Sequence, residues 1–146
     1  MKKVLFVLPS LRGGGAERVM LTLLRHLNRN IFSLHLALVA KEGPYLNDVP
    51  DDIPIYDLGA KRVRYAYSSL LKLIRRLKPD VVFSTLGHLN MVLIMLKCFM
   101  PSHTRLIVRE ANTVSEILKQ SSYPRLWKWL YSTLYKRADL IVCQSD

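Results

Sequence analysis

Six short apolar runs alternate with stretches of helical periodicity along this chain, and that alternation limits the fold more tightly than any other feature. The runs are KVLFVLP (3–9), SLHLALVA (33–40), IPIYDLG (53–59), DVVFST (80–85), TRLIVRE (104–110) and DLIVCQS (139–145). Several are continuously apolar, as strands covered on both faces of a parallel sheet should be. Between them, Val19, Met20, Leu23, Leu24 and Leu27 recur at helical spacing, and so do Tyr67, Leu70, Leu71, Ile74 and Leu77. Residues 88–99 are nearly all apolar, and 113–137 predicts one or two helices punctuated by Pro124. Thr113 with Glu116 three residues on has the form of a capping box. Repeated strand and helix imply parallel strands joined by right-handed crossovers, so the predicted fold is α/β, a doubly wound parallel sheet of about six strands.

A chain of 146 residues has the size of one ordinary domain. Half of it is hydrophobic, and no internal repeat or low-complexity linker interrupts it.

In a doubly wound sheet, ligands bind beyond the carboxyl ends of the strands, beside the first one. There the sequence reads LPSLRGGGAERVMLTLL, with Gly13, Gly14 and Gly15 between the first predicted strand and a helix starting near Ala16. Glycine lets the backbone turn tightly and approach a ligand closely, and the helix start offers unpaired N–H groups and a positive dipole end. A phosphate or carboxylate suits such a turn; the alternative is a tight connection with no ligand. Glu17 and Arg18 read either as site residues or as a favourable first-turn charge and a surface base. No Lys-Ser or Lys-Thr follows the glycines, which excludes a nucleotide-hydrolysing P-loop. The dinucleotide fingerprint needs a third glycine where Arg18 stands, and Glu42 follows Lys41 beyond the second strand, so a nicotinamide cofactor is only a runner-up.

The 22 Lys and Arg against 11 Asp and Glu give a formal charge of +11, which points to an anionic partner. Two stretches hold bases and no acid. Residues 58–79 contain Lys61, Arg62, Arg64, Lys72, Arg75, Arg76 and Lys78; residues 117–138 contain five more bases. Cys98 and Cys143 lack metal-ligand spacing and lie in apolar runs, so they are expected as small core residues in a reducing compartment. The N-terminal apolar run is too short for a signal peptide, and MVLIMLKCFM (91–100) is about half the ~20 residues of a membrane span. The expected location is cytoplasmic, lying on a membrane if it meets one.

The Gly-Gly-x-Glu-Arg loop after the first strand, followed in order by LKPDVVFSTLGHLN, TRLIVREANTVS and LYKRADLIVCQSD, resembles the N-terminal, Rossmann-like half of the family 4 glycosyltransferases of GT-B architecture. The resemblance runs over essentially the whole chain. It implies transfer of a sugar from a nucleotide sugar, with retention at the anomeric carbon and no metal or other cofactor, to a lipid-linked or other cell-surface glycan. In that family this half supplies the acceptor side, and a C-terminal GT-B domain holds the donor together with a pair of glutamates eight positions apart. Glu17, Glu42, Glu110 and Glu116 include no such pair. The chain is therefore expected to be the N-terminal domain of a larger enzyme, or a split subunit, and inactive alone.

Carried over by position, Gly14 and Gly15 would meet phosphates through their amides, with Gly13, Glu17 and Arg18 beside them. His88 falls where relatives have a histidine on the cleft wall, and Glu110 where they carry a histidine or an acid near the reacting sugar. Each has a plainer alternative: a packed or capping histidine, and a partner for Arg105 or Arg109. Asn112 and Ser145 share the strand-end position. The resemblance further implies that the loop with Lys61, Arg62 and Arg64 and the helix with Lys72, Arg75 and Arg76 lie against an anionic membrane, on its inner face. Trp127, Trp129, Tyr131 and Tyr135 on one predicted helix match no nucleic-acid motif, so nucleic acid is not an expected partner.

Overall fold

The strands pair in the order β3-β2-β1-β4-β5-β6, all parallel, so the earliest strand lies at the centre and the chain winds outward from it in two directions. The computed structural model describes residues 1–110 and 123–143. β1 (Lys2–Leu8), β2 (Phe32–Leu38), β3 (Ile55–Asp57), β4 (Val81–Thr85), β5 (Arg105–Glu110) and β6 (Leu140–Cys143) form the sheet. The helices among the described residues are α1 (Gly15–His26), α2 (Tyr67–Leu77), α3 (Gly87–Leu96) and α4 (Pro124–Leu134). The order reverses between β1 and β4, which is where such sheets open a crevice at their carboxyl edge.

The period of two in β1 divides the core. Val4, Phe6 and Leu8 join Met20, Leu21 and Leu24 of α1 on one face, while Leu5 and Val7 join Leu70, Leu73 and Ile74 of α2 and the apolar side chains of α3 on the other. Both faces are covered, which is why β1 reads as an unbroken apolar run. Phe6 and Phe83 meet across the β1/β4 pair with ring centroids 5.5 Å apart. Burying one such aliphatic or aromatic side chain is worth about 1.5–3 kcal/mol.

The structure corrects several expectations. β3 spans three residues because, as an outer strand, it pairs only with β2. Tyr67 opens α2 but is exposed, and Leu73 takes a core place instead. Helix α3 ends at Leu96, and a 3-10 turn at Lys97–Phe99 swings Cys98 to the surface, where Arg137 Nη1 lies 3.7 Å from its Sγ. Cys143 is exposed as well, since all four residues of β6 are exposed. Of the stretch 113–137, α4 and a 3-10 turn at Tyr135–Arg137 are seen; Asn112, Thr113, Glu116 and Ser145 lie outside the described residues.

Candidate functional site

The glycine loop does leave β1 at the crevice, and its conformation is set by a carboxylate of its own chain. Gly13 takes φ 114°, a value that favours glycine, and Gly14 is the N-cap of α1. Glu17, buried in the first turn, reaches back so that its Oε2 accepts the Gly13 amide at 2.9 Å and the Gly14 amide as well. This is the acidic half of a capping box, and it satisfies donors that the helix start would leave open. Nothing lies within 4 Å of where a Gly15 side chain would begin, so that glycine faces open space.

A second glycine, absent from the sequence expectations, locks the loop from outside. Gly43 has φ 112°, and a Cβ there would stand 2.1 Å from the carbonyl oxygen of Leu11. The contact comes from a crossed pair of backbone hydrogen bonds: Leu11 N–H donates to Glu42 O at 2.9 Å, and Tyr45 N–H donates to Leu11 O at 3.1 Å. Glu42 also pairs with Arg12 at 2.7 Å, so it is engaged in the loop rather than set out as a ribose ligand.

Between this loop and the segments that follow β2 and β3 lies a cleft of about 430 Å³. Ser10, Arg12, Lys61, Arg62, Arg64 and His88 are among its walls. Backbone bonds carry the walls past the strand ends: Val39 N–H donates to Leu8 O, Ala40 N–H to Pro9 O and Ala60 N–H to Val39 O. Arg12 has its partner in Glu42, whereas Lys61, Arg62 and Arg64 have no carboxylate within ion-pair distance among the described residues. Lys61, Arg62 and Arg64 thus bring three cations to one wall of the cleft, which Glu42 also lines beside Arg12.

The first turn of α3 forms the opposite rim. Leu86, its N-cap, has φ 78°, a strained value for a bulky residue. His88 is two residues further on, and the protein around its ring lowers its pKa, with the Glu110 carboxylate acting in the opposite sense. Glu110, at the end of β5, is buried and does not line the cleft. Its Oε1 accepts Asn90 Nδ2 at 2.9 Å and the hydroxyl of Tyr135; its Oε2 is buried without a hydrogen bond among the described residues. Among the described residues, its hydrogen-bond partners are Asn90 and Tyr135.

The structure also divides the long basic run. Lys61, Arg62 and Arg64 belong to the cleft, while Lys72 and Arg76 line a separate groove of about 490 Å³ between α2 and β3, with Tyr56 and Ser69. Arg75 points elsewhere and donates to Phe99 O at 3.0 Å. Arg18 is exposed on α1. Among the described residues, no three His, Cys, Asp or Glu side chains cluster as metal ligands would, and no helix is long and apolar enough to cross a membrane.

Sequence reasoning assigned no role to Gly43 or Asn90, and Tyr135, expected only as one aromatic of a predicted helix, stands in the 3-10 turn that follows α4. A single amide inside the apolar GHLNMVLIML helix was the available signal for Asn90.

A family model described as Glycosyltransferase Family 4 matches residues 13–146. The chain belongs to glycosyltransferase family 4. One curated relative, from Campylobacter jejuni subsp. jejuni serotype O:2, is N-acetylgalactosamine-N,N'-diacetylbacillosaminyl-diphospho-undecaprenol 4-alpha-N-acetylgalactosaminyltransferase; it is 33% identical over 156 aligned positions, covering 99% of this chain and 42% of the relative. The family 4 chain is also similar in fold to a solved alpha-glucosyltransferase in complex with UDP, with a TM-score of 0.61 and 16% identity over all of this chain and 35% of that one. A second alpha-glucosyltransferase structure, with UDP and a 13-mer DNA, has the same TM-score and identity and is covered to 37%. These likenesses show the fold alone, the Rossmann-like half of a GT-B glycosyltransferase. The chain spans about two-fifths of the curated relative and about a third of the solved structures.

Proposed function

We propose that this chain is the N-terminal, acceptor-side domain of a retaining glycosyltransferase that moves a hexosyl-type sugar from a nucleotide sugar to a lipid-diphosphate-linked or other cell-surface glycan. The observation that carries the reading is the wall of Lys61, Arg62 and Arg64 in a cleft at the carboxyl edge of the sheet. A diphosphate is a compact, doubly charged group, and three cations without carboxylate partners would neutralise it. The curated relative's name describes a diphospho-undecaprenol acceptor, which is this chemistry. The names of the relatives describe alpha-linked or alpha-specific transfer, the outcome that retention gives from an alpha-linked donor.

In this reading the bond from the anomeric carbon to the donor phosphate breaks, a bond to the acceptor oxygen forms, and the acceptor hydroxyl gives up its proton. His88 stands at the rim with a lowered pKa, so its neutral imidazole can accept that proton or a hydrogen bond from that hydroxyl. Gly15, with open space beside it, allows a phosphate to approach the backbone. The donor nucleotide is held by a C-terminal domain that this chain would meet across the cleft, so the chain alone turns nothing over. No metal or cofactor enters the proposal, and neither does nucleic acid: the likeness to a DNA-bound structure is one of fold. Lys72 and Arg76, outside the cleft, would rest against the anionic inner face of a membrane, where each base contributes about 1 kcal/mol at low salt.

The test is kinetic. In the complete enzyme, Arg62→Ser with Arg64→Ser should raise KM for a lipid-diphosphate acceptor about tenfold, equivalent to about 1.4 kcal/mol, and leave KM for the nucleotide sugar unchanged. A change confined to the donor KM would refute the assignment.

A further inference from the structure

The proposed function gives no task to the buried polar cluster beneath α3. Ser84 and Asn90 are fully buried, and Glu110 and Tyr135 are 7% and 8% exposed. The four come from separate parts of the chain, β4, α3, β5 and the turn after α4, and they are joined in series. Ser84 Oγ donates to Asn90 Oδ1 at 2.6 Å. The Asn90 amide nitrogen has two hydrogens and uses both, one on Arg109 O at 3.0 Å and one on Glu110 Oε1 at 2.9 Å. The Tyr135 hydroxyl donates to the same Glu110 oxygen.

We infer that Asn90 and Tyr135 are positioning residues for the cleft, which hold the first turn of α3, and with it His88, against the ends of β4 and β5 through the Glu110 carboxylate. A bulky residue at φ 78° persists only where its surroundings fix it, and Leu86 is such a residue. Its carbonyl accepts the amides of Leu89 at 3.1 Å and Asn90 at 3.0 Å, so backbone bonds hold one side of the turn. The Asn90 side chain holds the other, tying that turn to β4 through Ser84 and to β5 through Arg109 O and Glu110. His88 lies between Leu86 and Asn90 and is carried with them.

Burial makes the arrangement sensitive. Buried polar networks are rigid when satisfied, and losing one donor frees the group it held. Glu110 already has an Oε2 with no hydrogen bond among the described residues, so Tyr135 and Asn90 fix this carboxylate through Oε1 alone. Glu110 is shielded from the cleft while His88 lines it, which separates the group that orients from the group that can touch substrate. The inference rests on the proposed function only for the use of His88 in transfer.

The test therefore has two readouts. In protein labelled at histidine, Tyr135→Phe should move the ring resonances of His88 and leave those of His35 on β2 in place; Ser84→Ala should do the same and serves if the first variant does not fold. In the complete enzyme, Tyr135→Phe should lower kcat/KM for the acceptor about fivefold with His88 present and less than about twofold in a His88→Ala background, because two changes acting through one group do not add. A His88 resonance unmoved in the folded variants overturns the inference. So does an equal loss of activity in both backgrounds. A moved resonance with full activity in His88→Ala would uphold the positioning and reject His88 as a participant in transfer.

Discussion

The carboxylate of Glu17 occupies the amide of Gly13 at 2.9 Å and that of its neighbour Gly14, so the loop expected to meet an external anion already holds an internal one. Removing that carboxylate leaves two loop donors without their acceptor. Glu17→Ala should lower stability by about 1 kcal/mol, the usual worth of a lost helix cap, read as a shift in the denaturant midpoint. An unchanged midpoint would mean that water replaces the carboxylate at no cost.

Gly15 and Gly43 should behave oppositely. Gly15→Ala meets nothing within 4 Å and adds a good helix former, so stability should hold within about 0.5 kcal/mol. Any loss of transfer activity in the complete enzyme would then report the approach of substrate phosphate to the backbone. Gly43→Ala places a Cβ 2.1 Å from Leu11 O at a φ of 112° and should cost about 2 kcal/mol or more, measured by thermal or chemical unfolding.

The glycine loop was legible because three consecutive glycines have few uses between a strand and a helix. What could not be read was the partner: Glu17 looks like any first-turn acid until the fold brings its side chain back over Gly13. Central strands β1, β4 and β5 were legible from apolar runs, since both faces of an inner parallel strand must be covered. The short length of β3 and the exposure of Cys98 were not, because pairing at a sheet edge and the twist of a 3-10 turn decide them. Glu110 was found as a strand-end carboxylate, yet its contact with Tyr135 spans 25 residues and is made only when the turn after α4 packs back over the end of β5. Local pattern holds no record of such a pairing.

Histidine titration offers a third check. Burial lowers the pKa values of both His35 and His88, Lys3 adding to the effect at His35 and Glu110 opposing it at His88. Their NMR midpoints should fall below the ordinary value of about 6.5. In the window between those midpoints and about 6.5 the unfolded chain binds more protons, so stability should decline as pH falls through it. Glu110→Gln should take the His88 midpoint lower still and leave His35 where it was.

Asp139 has the opposite sign. Burial would raise its pKa, but the Lys97 ammonium and the Leu106 amide outweigh that and hold the carboxyl below its usual range. A depressed carboxylate contributes stability above the unfolded value of about 3.9, and the contribution disappears as pH falls through the folded one. Asp139→Asn should therefore be destabilising at pH 7, by about 1 kcal/mol for a partly exposed pair, and should match the parent at the lowest pH at which both stay folded. A constant difference across that range would show that the amide loses packing rather than charge.

Because β1 sits between β2 and β4, the ribosome delivers its two neighbours at very different times. The bond from Lys3 N–H to the Asp80 carboxylate, at 2.7 Å, joins residues 77 apart, whereas Lys2 pairs with Phe32. At about 5–20 residues per second, the far edge of β1 waits several seconds longer than the near one. The α1 face of the core, drawn mostly from the first third of the chain, can close during that wait; the opposite face needs β4, α3 and β5. A nascent chain stalled before Asp80 thus exposes an apolar strand edge with its hydrogen-bonding groups unmet, the natural target of a holding chaperone, and one stalled after Glu110 should have lost it.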